Sequence, residues 1–256
     1  MHWFDSHCHL DLPELHAQAH NHWAAAREAG VQRVLIPGVD PAQWASAEQL
    51  AVQLPGAYWA AGVHPWWVGA QTQAPEMIMH RLREALTRGA IAVGECGLDG
   101  AIDVPMGAQQ SWLRPQLEVA ADLTLPVILH VHRAHNPILA MLKPFPHLRG
   151  VVHGFSGSIE LALQYIKRGF LLGIGGVVSY PRASKTRAAV AALPQGSFLL
   201  ETDAPSMPVF GSQGEINTPS QLLKIANSVA ELRGESLAQL HAHTERAAQE
   251  LFGPLS

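Results

Sequence analysis

The stretch of sequence that decides the fold is residues 126–173, PVILHVHRAHNPILAMLKPFPHLRGVVHGFSGSIELALQYIKRGFLLG. It contains three short apolar runs, at positions 126–131, 150–153 and 170–173, and the two longer segments between them have the apolar spacing of helices. Short strands that alternate with helices predict β-α-β units and therefore a parallel sheet. His130 and His153 stand at the carboxyl ends of the first two runs.

The same alternation continues in both directions and predicts eight strands, at Trp3–Cys8, Val31–Pro37, Ala57–Val63, Ile91–Glu95, Pro126–Val131, Gly150–His153, Phe170–Gly173 and Ser197–Glu201. Seven helical segments separate them, at Leu12–Ala29, Ala42–Gln53, Pro75–Arg88, Ala108–Leu123, Pro137–Leu142, Ile159–Arg168 and Ser184–Ala192. A glycine follows several of these segments directly before a strand, as is common where helices end.

Eight such units in 256 residues predict an α/β fold of the (β/α)8 TIM-barrel class, with the active site at the carboxyl ends of the strands. Two further helices, Pro219–Arg233 and Leu237–Phe252, are expected to pack outside the barrel, so that residues 1–256 form one domain. A doubly wound open sheet is the competing architecture, but it needs a glycine-rich phosphate loop after an early strand. The run Gly173–Gly176 comes far too late in the chain for that role.

Composition excludes several classes of protein. Hydrophobic residues make up 48% of the chain and charged residues only 15%, which excludes a disordered protein. The net charge of −4 provides no basic stripe for gripping duplex DNA. The absence of a leader-like start or a long apolar run, together with only two cysteines, predicts a cytoplasmic protein without a membrane span. The count of 15 histidines is unusually high, and their positions in the chain must account for it.

Metal-ligating side chains collect at the predicted carboxyl ends of five strands, and these are His7, His9, Glu95, His130, His153 and Asp203. On a closed barrel such ends surround one mouth, where imidazoles and carboxylates together suit zinc, manganese or a similar ion. Glu95 lies between the two histidine groups in chain order and can bridge two ions about 3.5–4 Å apart. Asp203 is the preferred last ligand and proton acceptor, although Glu201 shares its strand face. The pattern predicts metal-assisted hydrolysis.

Other residues near the same mouth leave alternatives open. His64, after the third strand, either contacts the substrate as a catalytic group or supports a ligand through a hydrogen bond. Arg133 is a candidate clamp for a phosphate or carboxylate. Trp66 and Trp67 either stack on a base or another aromatic group, or form a lid packed on the rim. Cys8 and Cys96 are expected to face the helix layer as small apolar fillers.

Six sequence blocks resemble the TatD family of metal-dependent hydrolases over nearly the whole chain. They are Asp5–Asp11, Gly62–Pro65, Gly94–Asp99, Pro126–His130, His153–Gly157 and Glu201–Pro205. The resemblance implies a TIM barrel of the amidohydrolase superfamily with deoxyribonuclease or 3′-5′ exonuclease activity that depends on ions such as magnesium. It implies a first ion held by His7, His9, Glu95 and Asp203, a second held by Glu95, His130 and His153, and His64 near the scissile phosphate.

The sequence departs from the family where substrate is gripped and leaves the implied metal ligands unchanged. Gly100–Asp103 stands where the family has aromatics and an arginine, Ile216 stands where an arginine precedes Asn217, and Thr244–Arg246 lacks the usual asparagine. The expected substrate is a small phosphoester or a single-stranded nucleic acid, with no membrane and no stable protein partner. The alternatives are hydrolysis of a lactone, ester or amide, and a histidine-rich metal-binding protein without turnover.

Overall fold

A computed structural model describes residues 1–255, which form eight parallel strands paired in chain order. The strands are β1 (Trp3–Asp5), β2 (Val31–Gly38), β3 (Ala57–Ala61), β4 (Val93–Asp99), β5 (Val127–His132), β6 (Gly150–Val152), β7 (Phe170–Ile174) and β8 (Phe198–Leu200). Every strand predicted from the sequence is present. The largest differences are at β4, which ends at Asp99 rather than at Glu95, and at β1, which ends at Asp5, so that His7 and His9 lie beyond its last paired residue.

Ten helices accompany the strands in the described residues. They are α1 (Pro13–His16), α2 (Ala19–Glu28), α3 (Trp44–Gln53), α4 (Pro75–Thr87), α5 (Met106–Leu123), α6 (His135–Met141), α7 (Ile159–Ile166), α8 (Ser184–Ala192), α9 (Leu222–Arg233) and α10 (Leu237–Phe252). The predicted helix Leu12–Ala29 is in fact two helices, because the backbone leaves the helical region at Gln18, with φ −123° and ψ 21°. Short 3-10 helices cover Pro65–Ala70, Gly176–Ser179 and Pro219–Gln221.

The core has two layers, which follow from the alternation of side chains along each strand. Val34 and Ile36 of β2 face the helices, whereas Leu35 between them faces the barrel interior. The interior cluster also contains Ala248 and Leu251 of α10. The expectation that both terminal helices pack outside the barrel is therefore corrected: α10 covers the amino-terminal end of the barrel, because its apolar face continues the interior layer.

The first and last strands meet through the residues that follow them. Ser6 N donates to Leu200 O at 3.0 Å, Asp203 N donates to His7 O at 2.9 Å, and His9 N donates to Ala204 O at 2.8 Å. The buried carboxylate of Asp5 also accepts hydrogen bonds from Thr202 N at 3.0 Å and from Thr202 Oγ1 at 2.6 Å. These bonds bring the two ends of the sheet together at the mouth.

None of the helices among residues 1–255 combines the length and the apolar character that crossing a membrane requires.

Candidate metal centre

His7, His9 and Asp203 are placed by the bonds that join β1 to β8. Asp203 has φ +54°, a left-handed conformation that aspartate adopts more readily than most residues. Its side chain is 16% exposed, whereas that of His7 is fully buried. Asp203 is thus the ligand candidate of this group that reaches furthest toward solvent.

The first cluster brings four ligand atoms close together. His7 Nε2 lies 3.1 Å from His9 Nε2 and 3.1 Å from Glu95 Oε2. His9 Nε2 lies 3.5 Å from Glu95 Oε2. Asp203 Oδ1 is 3.6 Å from the Nε2 atoms of both His7 and His9. Two imidazoles and two carboxylates therefore converge on one point.

The second cluster forms around the other oxygen of Glu95. Glu95 Oε1 lies 2.8 Å from His153 Nε2, 3.1 Å from His130 Nδ1 and 3.3 Å from His64 Nε2. His130 Nδ1 and His153 Nε2 are 3.3 Å apart. The two clusters also touch directly, because the rings of His7 and His153 stack with centroids 4.0 Å apart. The single carboxylate of Glu95 therefore faces a different group of imidazoles with each oxygen.

Local irregularity of β4 turns Glu95 into the mouth. Val93 and Cys96 both pack in the outer layer although they are three residues apart, so the side-chain alternation shifts between them. Cys8 packs in the same outer layer, as the sequence predicts for both cysteines. Because Cys96 and Leu98 face outward, Glu95, Gly97 and Asp99 share the inward face.

The donor atoms fit a divalent ion in spacing and in chemistry. Tetrahedral zinc with bonds of about 2.0–2.1 Å requires ligand atoms about 3.3–3.4 Å apart. The five measured separations in the first cluster, 3.1–3.6 Å, bracket that value. Without a cation, these contacts cannot all be hydrogen bonds, because His7 Nε2 carries at most one proton and faces three acceptor atoms at 3.1–3.6 Å. The residues present therefore fit the metal that the sequence motifs imply.

The pKa shifts divide the cluster: those of Glu95 and His7 favour the forms that bind cations, whereas Glu95 overcomes burial and raises the pKa of His153 to about 10. Burial acts to raise the pKa of Glu95, but His153, His64 and His7 outweigh it and hold the pKa well below its ordinary value. Burial and the nearby His153 hold the pKa of His7 well below its ordinary value. Burial raises the pKa of Asp203. An anionic Glu95 beside a neutral His7 has the protonation state that a metal ligand needs.

Asp99 is a functional residue that the sequence prediction did not assign. Its Oδ2 accepts hydrogen bonds from His130 Nε2 at 3.2 Å and from Trp66 Nε1 at 2.8 Å. Burial acts to raise the pKa of Asp99, but the bonds from Trp66, Ala101 and His130 hold it at about 2. An anionic Asp99 fixes the ring of His130 with Nδ1 directed at Glu95. Its position two residues after Gly97 and four after Glu95 was a signal that strand alternation could have used.

His64 lies against Glu95 rather than away from the ligands. Its Nδ1 accepts a hydrogen bond from Trp66 N at 3.2 Å. The proton of the neutral ring is therefore on Nε2, which lies 3.3 Å from Glu95 Oε1 and points a donor at it. Glu201, the alternative ligand, lies beneath the site, where its Oε1 accepts from Gly154 N at 2.5 Å.

The clusters open into a cavity of about 170 Å³. Its described lining includes both tryptophans of the 3-10 helix Pro65–Ala70 and contains neither lysine nor arginine. Arg133 is exposed on the loop that follows β5, and the structure does not bring it into this lining. The six predicted metal ligands and His64 are thus gathered in one place, whereas the predicted clamp lies outside it.

Known proteins resemble this chain in sequence and in fold. The family described as TatD related DNase matches residues 4–253. A metal-dependent hydrolase of Escherichia coli (strain K12), YjjV, is 40% identical over 238 residues, which cover 91% of this chain and 91% of the relative. A protein of Erwinia billingiae (strain Eb661) named 3′-5′ ssDNA/RNA exonuclease TatD is 35% identical over 236 residues, covering 89% of this chain and 90% of that protein.

Solved structures agree with the barrel. The crystal structure of the TatD homologue YjjV from Escherichia coli K12 has a TM-score of 0.92 at 36% identity and covers 98% of each chain. A TatD family hydrolase from Entamoeba histolytica has the same fold, with a TM-score of 0.87 at 18% identity over 99% of each chain. The predicted (β/α)8 TIM barrel is confirmed.

Proposed function

The chain belongs to the TatD related DNase family, and from that premise we propose that it is a phosphodiesterase with a two-metal centre, acting as a 3′-5′ exonuclease on single-stranded nucleic acid. The relative from Erwinia billingiae carries that activity in its name, and the cluster of acidic and imidazole ligands supports the same chemistry here.

The observation that carries the proposal is that the two carboxylate oxygens of Glu95 contact different groups of imidazoles. Oε2 lies 3.1 Å from His7 Nε2, and Oε1 lies 2.8 Å from His153 Nε2. A carboxylate with imidazoles on both sides is the arrangement expected of a ligand that bridges two cations. A single-ion site has no need of the second group.

We assign His7, His9, Glu95 and Asp203 to the first ion and Glu95, His130 and His153 to the second, each ion being zinc, magnesium or manganese. Bound divalent ions would supply Lewis acidity to the scissile phosphate and lower the pKa of water. The protein contributes fixed positions, because Asp99 holds His130 and the bonds between β1 and β8 hold the first group.

Three side chains have proposed roles besides holding metal. Asp203 takes the proton from the attacking water, since its carboxylate is the more exposed of the two in the cluster. His64 stands beside the scissile phosphate with a proton on Nε2, where it steadies Glu95 and faces the cavity. Arg133 is kept as the proposed phosphate clamp, although it is exposed on the loop after β5 and does not line the cavity.

The decisive experiment is activity of the metal-reconstituted enzyme on single-stranded DNA, RNA, bis-p-nitrophenyl phosphate and a lactone. We expect shortening of both nucleic acids from the 3′ end and hydrolysis of the phosphodiester. Asp203→Asn serves as the matched inactive variant, since the amide keeps the shape of the side chain but cannot take the proton. Hydrolysis of the lactone alone would refute the proposal, and tight metal binding without any turnover would indicate a metal-binding protein.

A further inference from the structure

Trp66 combines a high exposure with a fixed position. Trp66 is 61% exposed. Nevertheless, its backbone N–H donates to His64 Nδ1, and its indole Nε1 donates to Asp99 Oδ2 at 2.8 Å. Both partners are buried. A large apolar ring held open to solvent has lost side-chain entropy without gaining burial, and such rings commonly mark binding surfaces.

The ring stands at the edge of the metal centre. Its centroid lies 5.1 Å from that of His64 and 6.4 Å from that of His130. Trp66 also lines the same cavity as Glu95 and Asp203. A substituent of a phosphate bound at the cluster would therefore lie next to an exposed indole.

The alternative of a lid packed on the rim does not fit this exposure. A packed lid would bury the ring, whereas Trp66 makes edge-to-face contacts with His64 and His130 of the site itself. The described lining offers no basic side chain to hold a nucleotide by charge. Stacking on the exposed ring is therefore available as a means of recognising the base, in addition to the proposed hold on the phosphate, and it tolerates any base because every base has a π-face.

We propose that Trp66 is the stacking surface for the terminal nucleobase of the substrate, held in place by Asp99 and adjacent to the scissile phosphate. This inference rests on the proposed phosphodiesterase function and deepens it, because it makes a base-bearing diester the preferred substrate over a simple one.

The test compares two diesters that release the same leaving group. Thymidine 5′-(p-nitrophenyl phosphate) bears a base, and methyl p-nitrophenyl phosphate does not. We expect the wild-type enzyme to prefer the thymidine diester in kcat/KM. Trp66→Ala should reduce that preference by about 5- to 150-fold, the effect of losing one base–aromatic stack. The loss should fall mainly on KM of the thymidine diester.

Two further variants separate stacking from structural effects. Trp66→Phe loses the hydrogen bond to Asp99 but keeps an aromatic face, and because of that face it should retain most of the preference for the thymidine diester. Phe210→Ala removes an aromatic ring of similar exposure, 57%, that does not line the cavity. It should leave kcat/KM unchanged for both diesters. If Trp66→Ala lowers kcat/KM equally for both diesters, or leaves the preference unchanged, the stacking role is refuted but the proposed phosphodiesterase function is not. A wild-type enzyme that hydrolyses neither diester refutes the proposed function and the inference with it.

Discussion

The Asp99→Asn substitution tests how the metal centre is held from behind. Oδ2 of Asp99 accepts from Trp66 Nε1 and His130 Nε2, and Oδ1 accepts from Ala101 N and His132 Nδ1, at distances of 2.8–3.2 Å. Asparagine keeps one oxygen and replaces the other with an NH2 group that can only donate. Whichever way the amide lies, two of the four donors lose their acceptor.

The magnitude follows from which donors are lost. Ala101 N is a backbone donor close in sequence, so we expect the amide oxygen to stay with it and the NH2 group to face His130 and Trp66. The ring of His130 is then no longer fixed with Nδ1 toward Glu95. Losing an outer partner of a metal ligand typically lowers metal affinity about 10- to 100-fold. That loss corresponds to about 1.4–2.8 kcal/mol of binding free energy.

The assay is a competition titration of Zn²⁺ against a chromophoric chelator, following the more weakly held ion. Glu235→Gln is the matched control, because Glu235 accepts a hydrogen bond from His243 at 2.9 Å and its pKa is also held at about 2, but it lies outside the metal cluster. We expect Asp99→Asn alone to weaken zinc binding. Wild-type zinc affinity in Asp99→Asn, or equal weakening in the control, would contradict the supporting role.

Three other outcomes are expected. Gly173→Ala should lower the free energy of unfolding in urea by about 1–3 kcal/mol, because its Cβ would overlap the Glu201 carboxylate, whereas Gly107→Ala, with open space around it, should not destabilise. Arg233 and His243 overcome burial and lower the folded-state pKa of Glu235 to about 2. The free energy of unfolding that Glu235 adds over its Glu235→Gln variant should therefore be constant above pH 4.5 and vanish as the pH falls through about 2. Denaturation at several pH values measures this difference, and a difference that does not depend on pH would contradict the prediction. Chelation should lower the melting temperature by about 5–10 °C in calorimetry, and added Zn²⁺ should restore it, since ions bound only to the folded state stabilise it; an unchanged temperature would oppose tight metal binding.

The barrel could be predicted because its strands are short apolar runs whose chemistry differs sharply from the helices around them. Val127–Leu129 and Val151–Val152 are buried on both faces, so each reads as an uninterrupted apolar run before a polar residue. His130 and His153 then stand out at the strand ends. The order of parallel strands brings such ends together, so a cluster could be anticipated without knowing any distance.

What could not be predicted depends on backbone detail. The shift in alternation between Val93 and Cys96, which turns Glu95 inward, follows from register and leaves no mark in composition. Asp99 looks like an ordinary loop carboxylate until His130 and Trp66 are seen to converge on it. The capping of the barrel by α10 depends on where a terminal amphipathic helix docks, and its apolar face alone does not say.

The junction between β1 and β8 ties catalysis to the completion of the chain. His7 and His9 are synthesised at the start, but Asp203 and the residues at positions 200–204 that bond to Ser6, His7 and His9 follow some two hundred residues later. An ion bound across this junction would link a segment near the start of the polypeptide to one late in it. A nascent chain in which Asp203 has not yet been synthesised therefore lacks a complete set of ligands, so the centre can form only late in synthesis.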